Sequence, residues 1–359
     1  MSNSEQQEQI VKTIQSVTGS LSVMGSLTII YILLTNKNKL STPYKRILFG
    51  MSICDTMSSL AFSLSYLSRS QTACNMQGFF IHFGISATPF YNLSLSVFYV
   101  LTVCYEKKEL WVRNRIEPFL HGVPTLWSLG ASIYLLATNH FNENGANCWI
   151  ADKPQNCSIV GECERGGNAI KYRWIFSVGQ TLTIFVLIVT SMMMLVYRVE
   201  RQEQIMKERF SVRNTSSSLR HRKSSTSGGS KNEVIKQALI YVAAYFLPFF
   251  FPVLFFLQSF ISGKFNFTIM VLVSIFMPLQ GVLNCMVFVR PKIIKLRKSD
   301  PNLNIFRAFI KIMTDKWKHF RDIPISREPR VQFRSDFVGG GHIIKTLEPE
   351  ENHQETTVP

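Results

Sequence analysis

Charge is scarce in this chain, and carboxylate charge scarcest. Asp, Glu, Lys and Arg make up 17% of its 359 residues, against about 25% in an ordinary soluble domain. Only 23 residues are acidic against 39 basic, a net charge of +16. Catalytic patterns are missing too. There is no HExxH zinc helix, no GxSxG nucleophile turn, no phosphate-binding P-loop and no His-rich metal cluster, so neither an enzyme nor a cofactor or metal is expected. No segment repeats internally, which argues against the inverted repeats of many transporters. A basic leader region is also absent. The opening MSNSEQQEQ is polar and acidic, so the first apolar run is expected to act as its own insertion signal.

What the chain has instead is apolar runs of membrane length. A bilayer span needs about 20 mostly apolar residues. Seven runs qualify, at 14–35, 47–68, 77–103, 118–138, 174–197, 234–258 and 267–289. Some are diluted by Ser, Thr and Gly, the residues that let helices approach and hydrogen-bond inside a bundle. A charge of +16 alone would suit nucleic acid. Seven apolar runs do not, and no nucleic-acid partner is expected. The predicted fold is an all-α membrane protein, a seven-helix bundle.

Lys and Arg set its orientation. Segments 35–46, 104–117, 198–233 and the tail from 290 hold nearly all of them, including Lys37, Lys39, Lys45, Arg46, Lys107, Lys108, Arg113 and Arg115. The alternate segments hold few. The positive-inside rule then places the N-terminus outside and the tail in the cytosol. The predicted organisation is a short outer N-terminus at 1–13, a bundle at 14–298 and a cytosolic tail at 299–359. A plasma-membrane or endomembrane location follows.

Four of the seven Cys, Cys74, Cys148, Cys157 and Cys163, fall on the predicted outer side, where thiols oxidise. Three pairings are open. The favoured one joins Cys74 to Cys148, tying the third run to the second outer loop, and Cys157 to Cys163. The sequon at Asn156 is a glycosylation candidate. The sequon at Asn266 sits too near the membrane, and that at Asn214 is expected in the cytosol.

Ionisable groups inside a bilayer are costly and are functional hypotheses by default. Here they are Asp55 in the second run and His82 in the third. Asp55 reads as a polar switch at the bundle centre, with Gln280 and Asn284 as companions; a carboxylate merely satisfied by polar neighbours is the plainer reading. The third run carries a polar stripe of His82, Ser86, Pro89, Asn92 and Ser96, which share one helical face. Helix-packing contacts explain most of it; its His82 end is a candidate ligand contact. Further pocket candidates are Tyr91, Trp174, Gln180 and Phe250. None of these is an acid that would demand an amine. Pro248, Pro252 and Pro278 should kink the last two runs.

Several segments resemble a known family. CNMQGFFIHFGISATPFYNLSLSVFYVL, the Cys148-Trp149 pair, CERGGNAIKYRW before the fifth run and MPLQGVLNCMVFVRPK in the seventh resemble G protein-coupled receptors of microbial eukaryotes, between the cyclic-AMP-receptor and secretin types. The resemblance covers roughly 15–298. It implies a receptor that passes an outer ligand signal to a heterotrimeric G protein, with Tyr99, Lys107, Lys108, Lys236 and Arg290 facing that partner. Against the broader rhodopsin-like pattern, Asp55 matches the central acidic residue and Asn284 to Phe288 stand in for NPxxY without its Pro and Tyr. Phe250 stands at the aromatic toggle. Tyr99 replaces the Arg of the inner switch, which removes the cation that a latch of that kind needs.

The cytosolic segments are basic. Residues 198–233 read as a loop whose Ser-rich part should be disordered. There Arg220, Arg222 and Lys223 precede Ser224 and Ser225, a site for basic-directed kinases. PKIIKLRK after the seventh run reads as the start of a short helix along the membrane. Residues 303–321 repeat apolar side chains at helical spacing between Lys and Arg, which suits an anionic leaflet or a partner such as calmodulin. Arrestin-like proteins and kinases complete the expected partners. The competing class is a secondary transporter or channel, disfavoured by the few intramembrane charges. A retinal protein is disfavoured because 267–289 contain no Lys for a Schiff base.

Overall fold

The computed structural model describes residues 3–35, 40–67, 70–145, 147–155, 157, 161–215, 227–262 and 266–314. The chain is built from helices, with one small hairpin. Helix α1 is Asn3–Thr35, α2 Pro43–Ser63 and α3 Gln71–Tyr99, the last continued by a π-helical turn at Val100–Cys104. Short α4, Glu109–Arg115, leads into α5, Glu117–Ala137. Strands β1, Phe141–Glu143, and β2, Cys148–Ile150, pair antiparallel with Phe141 opposite Ile150. Helix α6, Ala169–Arg173, runs through a π turn at Trp174–Val178 into α7, Gly179–Thr215. Then follow α8, Ser227–Ser262, α9, Phe267–Phe276, α10, Gln280–Ser299, and α11, Ile305–Thr314.

Among the described residues, five helical stretches are long and apolar enough to cross a membrane: Glu5–Thr35, Gln71–Cys104, Glu117–Ala137, Ala169–Gln202 and Ala243–Ser262. The pair α9 and α10, bent by 45° at Met277–Leu279, makes a sixth candidate. The protein is therefore a multi-pass membrane protein by length and composition. Pro278 sits in that bend, where a helix loses its hydrogen-bond ladder. Helix α2 falls outside the set because Ser52, Asp55, Ser58 and Ser59 dilute it. All four are buried; α2 hides its polar side between α1 and α3.

Local signals set the helix ends. Thr42 caps α2 by accepting from the Lys45 N–H, with Pro43 at the first helical position. Ser70 caps α3 and Asn266 caps α9 in the same way. The apolar faces are closely set where glycine permits. A Cβ on Gly84 would lie 2.6 Å from the Cys54 carbonyl oxygen, and one on Gly25 would lie 2.8 Å from that of Gly281. Hydroxyls on exposed helix faces bond their own preceding turn, as Ser20 does to Ser16 and Thr28 to Met24. No donor is thereby offered to lipid.

Three expectations change. Residues 3–13 continue α1 rather than forming a separate segment, and Lys12 bonds Glu143 of the hairpin at 3.2 Å. Residues 198–215 are helical, because VERQEQIMKERF consists largely of strong helix formers, and 227–233 are helical as the start of α8. PKIIKLRK does not start a new helix but extends α10 through Pro291. Ser224, Ser225, Asn156 and residues 315–321 of the tail helix lie outside the described residues. The part described, α11, buries Ala308 and Ile312 against α10 and exposes Ile305, Phe306 and Ile310.

Candidate functional site

A buried carboxylate organises the bundle centre. Asp55, on α2, is 2% exposed. Its Oδ1 accepts the Thr88 hydroxyl at 2.7 Å and its Oδ2 accepts Asn284 Nδ2 at 2.7 Å. One side chain thus joins α2, α3 and α10. Of the three residues expected together, Asp55 and Asn284 meet. Gln280 lies one turn away, and its amide nitrogen has no partner among the described residues. Thr88 escaped notice because it falls between the stripe positions Ser86 and Pro89. Gly84, one turn before it on the same helix and set against Cys54 and Ser58 of α2, marks that face in the sequence.

A small cavity lies on the α11 side of this junction. Asn92, Ser96 and Tyr99 of α3, Ile188 and Met192 of α7 and Tyr245 of α8 line it. Tyr99 is 3% exposed, with its ring against Tyr44 and Phe98. Tyr99 therefore lines the cavity rather than the outer surface of the bundle. Lys107 and Lys108 are exposed, Lys107 over the Trp111 ring at 5.2 Å, and Arg290 is half-buried. The Lys236 side chain lies outside the described residues.

The pocket candidates separate. His82 is buried below the hairpin, its ring 6.2 Å from that of Phe141. Gln180 is bound into a knot: Oε1 accepts Trp127 Nε1–H at 2.8 Å and Nε2 donates to Ser86 Oγ at 2.9 Å. Trp174 stands at the hairpin end against Phe260. Two candidates lie apart from these. Tyr91 faces α5, its hydroxyl 3.2 Å from Thr125 Oγ1, in space left by Gly50. Phe250 is 41% exposed. Helix α8 turns Tyr245, Pro248, Phe249 and Pro252 inward, so 250 falls on the opposite face.

The hairpin caps the same end of the bundle as His82. Cys74 is bonded to Cys148 and Cys157 to Cys163, with S–S lengths of 2.00 and 1.98 Å. Gln77 holds the second strand by accepting the Cys148 N–H at 3.0 Å. Gln71 holds the first by donating to the Phe141 carbonyl at 3.1 Å. Asn144-Gly145, with Gly145 at φ +91°, is a turn signal that marks this hairpin in the sequence. Asp152, Cys157 and Cys163 lie close enough to suggest a metal site. The disulfide removes both thiolates, and Asp152 faces Arg173 at 3.6 Å instead.

His140 links the hairpin to α6. Its Nε2 lies 3.1 Å from the Gly167 carbonyl, its Nδ1 lies 2.8 Å from Thr138 Oγ1 and its ring stands edge-on to Tyr172 at 4.3 Å. Burial, opposed by the bonds to Gly167 and Thr138, holds its pKa below the usual histidine value. A base with a depressed folded pKa contributes its full stability above the unfolded value of about 6.5 and loses it as pH falls below that. The melting temperature is expected to drop on acidification from neutral pH through this window. His140→Gln should flatten the drop; an unchanged slope would show that other groups cause it.

No protein-family model and no curated protein matches this chain.

Proposed function

We propose that this protein is a seven-span G protein-coupled receptor, with the hairpin and both disulfides outside and α11 in the cytosol. The observation that carries the reading is the Asp55–Thr88–Asn284 junction. It ties α2, α3 and α10 together beside the small cavity lined by α3, α7 and α8. One part of the bundle is pinned by buried hydrogen bonds. On the other, α8 carries Pro248 and Pro252 in its interior, and Tyr245 makes one long hydrogen bond to α7, 3.5 Å to the Thr181 carbonyl. Such an arrangement suits two packings of α7 and α8 against a fixed frame, with a ligand biasing one of them.

In this reading α2 is the seventh span, buried rather than lipid-facing, and the basic ends carrying Lys107, Lys108, Arg113, Arg115 and Arg290 lie on the cytosolic side, as the positive-inside rule requires. The function is coupling between two sites, not catalysis. Exposed Ile305, Phe306 and Ile310 beside Arg307 and Lys311 suit contact with an anionic leaflet.

The test is energy transfer between a donor on the tail and an acceptor on each Gα subunit of the source organism, in membranes. A signal that collapses on addition of GTP is expected with at least one Gα. A surface-expressed protein that gives no GTP-sensitive signal with any Gα, with or without tissue-extract ligands, would sink the G protein reading.

A further inference from the structure

The hairpin closes the end of the bundle that would receive a water-borne ligand. Phe141 and Ile150 are fully buried. Phe141 lies so close to Gly78 that a Cβ there would be 2.7 Å from its ring. The Cys74–Cys148 bond fixes the second strand. A solute in water therefore meets an anchored wall.

Beneath that wall two polar groups have no hydrogen-bond partner among the described residues, His82 Nε2 and Ser132 Oγ. Their residues are 1% and 0% exposed. Buried polar groups are nearly always satisfied, so each orphan requires an explanation. The two are neighbours by helix geometry. Ser128 Oγ of α5 donates to Ser86 Oγ of α3 at 3.1 Å. Helix α3 begins at the hairpin and α5 ends there, so they run antiparallel. One turn toward the hairpin from Ser86 is His82, and one turn toward it from Ser128 is Ser132. The orphans thus share one level of the α3–α5 interface, directly above the knot that holds Gln180.

On the membrane side this shelf is shut only by side chains. Trp127 reaches Gln180, and the Tyr134 and Tyr172 hydroxyls meet at 3.1 Å. The Phe176 ring bridges them, 6.5 Å from Trp127 and 5.8 Å from Tyr134. Trp127 and Tyr134 are 47% and 42% exposed on the lipid side. Among the described residues, two side-chain hydrogen bonds close the seam and rotamer changes break them, whereas opening the hairpin end means moving a disulfide-anchored strand.

We infer that the seam between α5 and α7 is a lateral binding site for a membrane-dissolved lipid with a single neutral hydroxyl or carbonyl head. The head bonds His82 and Ser132, and the hydrocarbon body lies along Phe176 and Trp127. A neutral head follows because Ser86, Ser128, Ser132 and Gln180 carry no charge and His82, with no carboxylate beside it among the described residues, would have to be protonated while fully buried to face an anion, and a buried charge is strongly disfavoured. That this lipid is the signalling ligand rests on the receptor reading; that it binds does not.

The full chain in nanodiscs is photolabelled with a long-chain alcohol carrying a diazirine beside its hydroxyl, with and without excess unlabelled alcohol. Labelled positions are mapped by mass spectrometry. Competable labelling is expected at 82–86, 128–132 and 176–180. Ser132→Leu, which fills the shelf, and His82→Phe should each cut it about tenfold, the loss of roughly one good polar contact. Trp127→Phe, which removes the bond to Gln180, should hasten uptake. Melting curves establish that each variant is folded. Non-competable labelling spread over outward positions such as Leu126 and Leu187 overturns the inference, as does competable labelling indifferent to both Ser132→Leu and His82→Phe. GTP-sensitive coupling is read separately. Coupling intact with labelling lost sinks the lateral site alone; labelling intact with coupling absent sinks the receptor reading alone.

Discussion

Replacing Arg46 by methionine is expected to cost about 3–5 kcal/mol, the range found when one partner of a buried ion pair is removed. The reason lies in Glu117. Its side chain is only 10% exposed, and both its oxygens are taken by Arg46, Oε1 by Nε and Oε2 by Nη2 at 2.7 Å. A fork-to-fork pair of this kind is the strongest geometry available to a guanidinium. Glu117 also stands in the first turn of α5, where the helix dipole favours a carboxylate. Arg46 further donates to the Leu40 carbonyl, so one side chain fastens α2, α5 and the loop before α2. His121 Nε2 lies 3.7 Å from Glu117 Oε1, and its ring meets Tyr91. Without Arg46 the buried carboxylate keeps only that imidazole.

The effect should be asymmetric. Glu117→Leu leaves a cation whose side chain is 24% exposed and can turn toward water, so its cost should be smaller. The double variant Arg46→Met, Glu117→Leu should recover most of the loss, because a well-packed apolar pair replaces a buried ion pair at little cost. Melting can be followed with a thiol-reactive dye, since Cys54, Cys104 and Cys285 are free and buried. If Arg46→Met costs under about 1 kcal/mol, as exposed pairs do, interfacial water carries the Glu117 charge and the clamp is not structural.

This pair shows where sequence reading stops. Arg46 was legible as a charge that fixes orientation, and Glu117 only as the edge of an apolar run. Nothing in a spacing of 71 residues joins them. Asp55 was different. A lone carboxylate inside an apolar run must find donors, so its role at the centre and its bond to Asn284 could be anticipated. Thr88 could not, because hydroxyls that serve as helix-packing contacts and hydroxyls that hold a carboxylate look alike in sequence. Phe250 lies on the exposed face of α8, and a match to a family's motif position does not fix which face of a helix a residue occupies. The hairpin was missed despite Asn144-Gly145, since three-residue strands carry almost no periodicity. Ser132 was invisible for a plainer reason. What marks it is the lack of a partner, and a partner's absence appears only in three dimensions.

The two disulfides should differ sharply in worth. Cys74–Cys148 closes a separation of 74 residues and Cys157–Cys163 one of 6. On the chain-entropy account the first is worth about 4 kcal/mol and the second about 2. Both figures are upper bounds here. A helical membrane protein retains much of its helix when denatured in detergent, so the loop being closed is shorter in effective segments. The position of the first bond adds to its effect. It pins β2 to α3, and β2 carries the buried Ile150 and Trp149 that roof the bundle. Paired replacement avoids leaving a lone reactive thiol. Cys74→Ser with Cys148→Ser should lower the melting temperature strongly, speed dye access to Cys54, which faces the α2–α3 contact beneath the roof, and loosen the hairpin as read by amide exchange at Phe141 and Ile150. Cys157→Ser with Cys163→Ser should leave all three readings near those of the unmodified protein. Equal losses from the two pairs would mean that Gln71, Gln77 and the seat of Phe141 against Gly78 already hold the roof, and that the long disulfide acts only while the chain is folding.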